Sequence, residues 1–351
     1  MTSGPALTPT MKLRRRFYDF RQRLRRRFAL RHSAREARTV IRAVRRLKAE
    51  NQGRPVYGIL LAEHIGDIMA CEPIIAWARR QRADALVVWV IRRSYAEVLE
   101  EHPGLDLLLT VESLASIASI VRSGVFDVAL DLHINRKPTG VADVAHVKSW
   151  GDPRIDFDTY VREGSLLRAL SKAAGIEPFG EQPSLYVSAS TRSAIDKLEL
   201  PPRFVIVHAM SNDPARDWSI DRWLSVMKYV VEECGLPVFE VGLRTALGLQ
   251  QPALTSLCGR LSIMETAEVI RRASFFIGID SGPAHMANAW RRPSLILLGR
   301  FRGQDWRPYE GFFAEHASER LLRHPDALST LPAERVIERL RGDAEWVRLI
   351  D

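Results

Sequence analysis

The 25 residues Phe275–Gly299, FFIGIDSGPAHMANAWRRPSLILLG, narrow most sharply what this chain can fold into. Two apolar runs, Phe275–Ile279 and Ser294–Leu298, bracket a polar turn and a segment of small residues. A short apolar run bounded by turn residues suits a strand buried on both faces. The segment between them predicts a short helix over Ala284–Trp290. Strand, helix and strand in that order build a parallel sheet covered by helices. The turn residues have separate physical uses. Asp280 or Ser281 can cap the free N–H groups of the helix. Gly282 has no Cβ, so another molecule can approach its backbone. Pro283 suits a first helical position, where no N–H is needed. Unpaired N–H groups and the helix dipole together attract an anion, and His285 lies within reach of it. An ordinary strand–turn–helix of a parallel sheet carries the same pattern.

A second stretch, Tyr57–Trp77, repeats the plan: an apolar strand, the polar turn Glu63-His64-Ile65-Gly66-Asp67, then an apolar-faced helix. Gly66 allows a tight turn, and Asp67 follows the carboxyl end of the strand, the edge where open parallel sheets bind ligands. Asp67 can equally be a helix N-cap and nothing more.

Together the two stretches resemble glycosyltransferase family 9, the ADP-heptose:lipopolysaccharide heptosyltransferase family. The resemblance rests on Ile65-Gly66-Asp67 with Pro73, on Asp280-Ser281-Gly282-Pro283-Ala284-His285 with Pro293 and Gly299, and on Trp306 with Pro308. It covers roughly Val56 to Pro308. It implies a GT-B fold, two Rossmann-like parallel-sheet α/β domains facing each other across a cleft.

The order of apolar runs agrees with two α/β halves. Candidate strands at Val56–Leu61, Leu86–Ile91, Leu105–Leu109 and Phe126–Leu130 alternate with helices, including Ile68–Arg82 and Leu114–Arg122. A second series follows at Phe204–His208, Val238–Val241, Phe275–Ile279 and Ser294–Leu298, with helices at Ile220–Cys234 and Ile263–Ala273. Between the series a polar helix over Ser190–Leu200 meets Pro201-Pro202, which stops it. The expected divisions are an arm over residues 1–55, an acceptor domain over 56–187, a linker over 188–202, a nucleotide-sugar domain over 203–330, and a helix over 331–351 packing back on the body. Tyr160–Ala174 reads as a helix. Residues 135–160 have weak periodicity and suit a loop over the acceptor site. Asp131 and His133 follow the fourth strand and can line the cleft or be satisfied inside the core.

Charge is unevenly spread. Of 51 basic and 42 acidic residues, residues 1–55 hold 17 and 3, so the arm exceeds the whole surplus of +9. Within it Leu13, Phe17, Phe20, Leu24 and Phe28 recur at helical spacing among arginines. Such a basic amphipathic helix suits an anionic membrane surface, here the inner membrane through residues 11–48. Val40, Ile41, Val44 and Leu47 continue the stripe, which can instead pack on the protein itself. Nucleic acid is not expected, since no nucleic-acid fold follows. Three scattered cysteines, Cys71, Cys234 and Cys258, make no metal pattern and suit a reducing compartment. No apolar run reaches the roughly 18 residues of a membrane span. The expected location is cytoplasmic, peripheral on the membrane's inner face.

The resemblance also assigns roles. Asp67 is the expected base, with His64 and Gly66 on the acceptor side. Ser211, Arg216, Leu261, Asp280, Ser281, Gly282, Pro283 and His285 are expected at the donor. Arg216 stands where relatives usually carry Lys before a Trp, here Trp218, and can grip phosphate oxygens in a bidentate manner. It can also form a surface pair with Asp213 or Asp217. Leu261 matches a position lining the adenine pocket. Asp280, an acid beside an anion, is expected to shape and cap its turn. Relatives often carry a ribose-binding acid after the next strand, but Gly242-Leu243-Arg244-Thr245 has none. The expected activity is inverting, metal-independent transfer of a heptose from an ADP-sugar to a hydroxyl of a lipopolysaccharide-type glycan, with no cofactor. Alternatives are a transferase using another nucleotide sugar and a non-catalytic nucleotide-binding scaffold.

Overall fold

A computed structural model describes residues 9–139, 145–248 and 254–350, with side chains left out for residues 9–19 and at 22. The first half carries β1 (Val56–Leu60), β2 (Leu86–Arg92), β3 (Leu107–Val111) and β4 (Val128–Asp131), paired in parallel in the order β3-β2-β1-β4. Two short strands, β5 (Lys137–Pro138) and β6 (Ala145–His146), pair antiparallel beyond β4. The second half carries β7 (Val205–His208), β8 (Val238–Glu240), β9 (Leu254–Ser256), β10 (Phe275–Ile279), β11 (Ser294–Leu298) and β12 (Leu321–Arg323). These form one parallel sheet, β12-β11-β10-β7-β8-β9, with β10 and β11 buried throughout. Its order reverses between β10 and β7, so their loops open a crevice at the carboxyl edge.

The helices are α1 (Pro9–Glu50), α2 (Ile65–Cys71), α3 (Ile74–Gln81), α4 (Ala115–Arg122), α5 (Leu166–Ala173), α6 (Ala189–Asp196), α7 (Ile220–Lys228), α8 (Ile263–Arg272), α9 (Gly282–Ala289), α10 (Phe312–Glu315), α11 (Ala317–Arg320), α12 (Ala333–Arg341) and α13 (Ala344–Ile350). Several expected helices are broken, each for an identifiable reason. Ile68–Arg82 divides at Glu72-Pro73, where the Glu72 carboxylate takes hydrogen bonds from His102 (2.7 Å) and the Ser184 amide (2.8 Å). Tyr160–Ala174 divides into a 3-10 turn over Tyr160–Arg162 and α5, because Gly164 turns at φ 96° and Ser165 caps a fresh start. The terminal helix divides before Asp343, whose carboxylate caps the amide of Trp346 at 3.0 Å. Strands β9 and β12 lie at the sheet's edges and have too few apolar residues to stand out in sequence.

The arm divides in two. Ala37, Val40 and Val44 are buried in a core shared with β1, β2 and α4. Glu36 accepts from the Glu112 amide (2.8 Å) and the Ser116 hydroxyl (2.6 Å), while Lys48 pairs with Asp127 at 2.8 Å. Packing on the protein's own surface therefore accounts for the second half of α1. Toward its start Phe20 and Phe28 are 58% and 64% exposed, with Leu24 and Leu30 also exposed. The side chains of Leu13 and Phe17 lie outside the described residues.

One core cluster joins the halves, running from α2 and β2 to α8, α9 and β11. Polar contacts pin the same interface. Glu97 accepts from the hydroxyl of Ser262 and from the Met264 amide at the start of α8. Glu310 accepts from Ser165 (2.7 Å) and Arg168 (2.5 Å).

Candidate active site

The first of the two turns leaves β1 through Leu61, Ala62 and Glu63 and enters α2. The N-cap is His64, and no side chain caps the helix. Asp67 is the third residue inside it, so the plain N-cap reading of Asp67 does not hold. Its carboxylate favours the helix dipole instead. Burial pushes the Asp67 pKa above the ordinary 3.8. Lys137 pulls it back down and Glu63 adds to the rise, with His64 and Arg216 lowering it further. Lys137 Nζ lies 3.5 Å from Glu63 Oε2 and over the Phe157 ring. Glu63 Oε1 is buried with no hydrogen-bond partner. Burial and the charge of Asp67 push the Tyr160 hydroxyl up to about 12.

The turns of the second half leave β7 and β10. Asp280 is buried and accepts from Tyr309 Oη (3.0 Å), Trp306 Nε1 (3.2 Å) and Arg216 Nη1 (3.3 Å). Neither it nor Ser281 caps α9; Ser281 is the N-cap residue, but its hydroxyl donates to Ile279 O at 3.1 Å. The capping expectation therefore gives way. Asp280 anchors Arg216 and two aromatic donors, and the N-cap side chain of α9 makes no capping hydrogen bond. Gly282 and Pro283 are the first two residues of α9, so Pro283 sits one place later than expected and still needs no N–H partner.

Arg216 pairs with Asp280 rather than with Asp213 or Asp217, and its Nη2 donates to Asn212 at 3.0 Å. Burial works against its charge, but Asp280 more than offsets this and raises its pKa. Its Nε is buried without a partner. Phe301 lies under the guanidinium at 5.6 Å. His285 is buried, and burial lowers its pKa to about 4, so at neutral pH it is an uncharged ring. Ser211 shares the Arg216 loop, but its hydroxyl donates to Asp213 O at 2.7 Å within that loop. Leu261 packs against the core before α8, on a turn where the Gly259 amide bonds Gly242 O at 2.9 Å.

The two turns meet. A Cβ on Gly66 would lie 3.0 Å from the His285 ring, and one on Gly282 would lie 2.5 Å from Ile65. Glycine at both positions lets α2 and α9 come together, and Asp67 lies within electrostatic reach of Arg216, which lowers its pKa. Sequence reasoning missed Lys137, Glu240 and the aromatic pair Trp306 and Tyr309 as contributors. Trp306 had a signal in its Trp-x-Pro setting; Lys137 lies in a segment without periodicity. Glu240 is an acid at the end of β8, but its carboxylate is spent on the Ala246 amide (2.7 Å) and Thr245. Asp131 and His133 are fully buried and bonded to each other, and with His146 their ligand atoms lie within 4.8 Å. The fold thus assembles a group of metal-ligand types where the sequence showed no metal pattern.

Residues 165–315 match glycosyltransferase family 9 (heptosyltransferase). Lipopolysaccharide heptosyltransferase 3 of Escherichia coli K12 is 21% identical over 322 residues, covering 78% of this chain and 93% of that protein. A family 9 glycosyltransferase from Veillonella parvula superimposes with a TM-score of 0.64 at 15% identity, covering 84% of this chain and 98% of the other. The E. coli ADP-heptose lipopolysaccharide heptosyltransferase II does so at 0.61 and 19% identity, over 84% and 99%. These likenesses agree with two Rossmann-like domains of GT-B type.

Proposed function

Since the chain belongs to glycosyltransferase family 9, we propose that it moves a heptose from an ADP-heptose to a hydroxyl of a lipopolysaccharide-type glycan, by single displacement with inversion. One observation carries this reading: α2 and α9 touch, so an acid with a raised pKa faces an arginine and an uncapped helix N-terminus. The donor diphosphate lies along α9 and Arg216, whose partnerless Nε is free to meet an oxygen. The acceptor oxygen attacks the anomeric carbon as the bond to the diphosphate breaks. Asp67 takes the hydroxyl proton, and ADP leaves with the bond electrons. Arg216 and the helix dipole stabilise the charge that grows on ADP, so no metal is assigned to that step. His285, uncharged, packs the ring between Gly66 and Tyr309.

The test is ADP release by purified protein given ADP-heptose and lipopolysaccharide precursor extract. Release that depends on both supports the reading. Release only with a different nucleotide sugar sinks the ADP-heptose assignment, and binding without release leaves a scaffold.

The exposed start of α1 combines Phe20, Leu24 and Phe28 with Arg21, Arg23, Arg25, Arg26 and Arg27, which suits an anionic inner-membrane face where a lipid-linked acceptor sits. No helix among the described residues is long and apolar enough to cross a membrane. Deleting residues 1–31 should cut partition to anionic vesicles about tenfold or more, at roughly 1 kcal/mol per basic residue. The melting temperature should hold, because Ala37, Val40 and Val44 remain. Equal partition of both forms, measured by vesicle sedimentation, would count against membrane docking.

A further inference from the structure

Asp131, His133 and His146 have no part in the transfer step, yet two imidazoles and a carboxylate are a recognised metal-ligand set. The hydrogen bonds argue for another use. The Ala62 amide donates to His133 Nε2 at 2.9 Å, so Nε2 carries a lone pair and the ring proton is on Nδ1. That proton points at Asp131 Oδ1, 2.7 Å away. A metal on Nδ1 would push the proton to Nε2, against the Ala62 N–H. The cluster is therefore built around protons.

Asp131 gathers protons from four residues. Its carboxylate also accepts from the His133 amide (3.2 Å), His146 Nε2 (2.8 Å) and Trp150 Nε1 (2.7 Å), and its carbonyl accepts from Lys148 Nζ (2.9 Å). On one side the network holds Ala62, where the chain leaves β1 for Glu63 and Asp67. On the other it holds β6, where His146 stands opposite Lys137. Lys137 then faces Glu63 at 3.5 Å. We propose that Asp131 and His133 are positioning residues that hold the Asp67 turn in register with the strand pair carrying Lys137. The proposal rests on Asp67 being the base.

The experiment uses two substitutions that divide the ring's two bonds. His133→Asn keeps a donor toward Asp131 but does not reach Ala62. His133→Gln places an amide oxygen where Nε2 accepts from Ala62. Amide hydrogen exchange over residues 62–67 is read beside steady-state turnover of ADP-heptose on precursor extract. His133→Asn should speed exchange about tenfold or more, the loss of a buried hydrogen bond. It should lower kcat roughly 10- to 100-fold with the ADP-heptose KM unchanged, since a small displacement of the base is costly. His133→Gln should recover most of both. If His133→Asn fails to fold, Asp131→Asn, which removes the charge but keeps the shape, should give the same local exchange increase. Unchanged exchange in the folded variant overturns the proposal. So does an equal loss in both His133 variants that only tracks melting temperature. Stoichiometric Zn²⁺ or Fe²⁺ bound by the wild type and lost in His146→Ala also overturns it, in favour of a metal. Wild-type protein that turns over no ADP-heptose sinks the transfer reading instead, and the exchange comparison still decides the network.

Discussion

Asp67→Asn should lose about 10²–10⁴ in turnover, the range for a positioned general base, while ADP affinity stays within about twofold. Asn matches the size of Asp but cannot take a proton. On the proposed reading the donor diphosphate lies against the other half, which the substitution leaves alone. The pH profile adds a sign. Asp67 works deprotonated, and burial raises its pKa above 3.8, so the acid limb of kcat/KM should lie higher than for an exposed carboxylate. The same shift bears on stability. A carboxyl whose folded pKa is raised contributes most below its unfolded pKa and costs stability as pH climbs through the folded value. At neutral pH Asn should therefore hold or slightly raise the melting temperature. Asp67 is the third residue of α2 rather than its N-cap, so no cap is lost. Near-normal turnover in the Asn variant would remove Asp67 as base and leave Glu63 or His64.

Arg216→Ala should weaken ADP binding about tenfold or more, because a hydrogen bond to a charged group contributes roughly 1.5–3 kcal/mol. It should also lower stability, since Asp280 is buried and would keep only Trp306 and Tyr309 as side-chain donors. Arg216→Lys keeps the charge but loses the fork, so its loss should be intermediate. His285→Ala should cost ADP affinity less than Arg216→Ala, because His285 is uncharged at neutral pH. Titration calorimetry with ADP checks all three. Unchanged affinity in Arg216→Ala would move the diphosphate site elsewhere.

Much of the fold was legible because buried parallel strands write themselves as unbroken apolar runs. Phe275–Ile279 and Ser294–Leu298 became β10 and β11 with the same ends. Helix ends were less legible. Glu72 breaks the first long helix to serve His102 and Ser184, residues far along the chain. The two turns of the candidate site were visible as local motifs, since glycine, proline and an acid at a strand's end have local physical reasons.

Their relation was not visible. That Gly66 lies against His285 and Gly282 against Ile65 depends on how two separately wound sheets dock. That Asp280 spends its carboxylate on Arg216, Trp306 and Tyr309 depends on loops more than twenty residues away. Lys137 comes within 3.5 Å of Glu63 across segments that bond, through Ala62 and His146, to His133 and Asp131 far along the chain. The sequence alone determined the two parallel-sheet halves, the basic charge of the arm and the glycine-bearing turns that follow β1 and β10, because periodicity, propensity and turn chemistry are local. Tertiary structure decided which half of the arm packs, which carboxylate anchors and which faces the cleft, because burial and partners set a charge's behaviour and both come from distant chain.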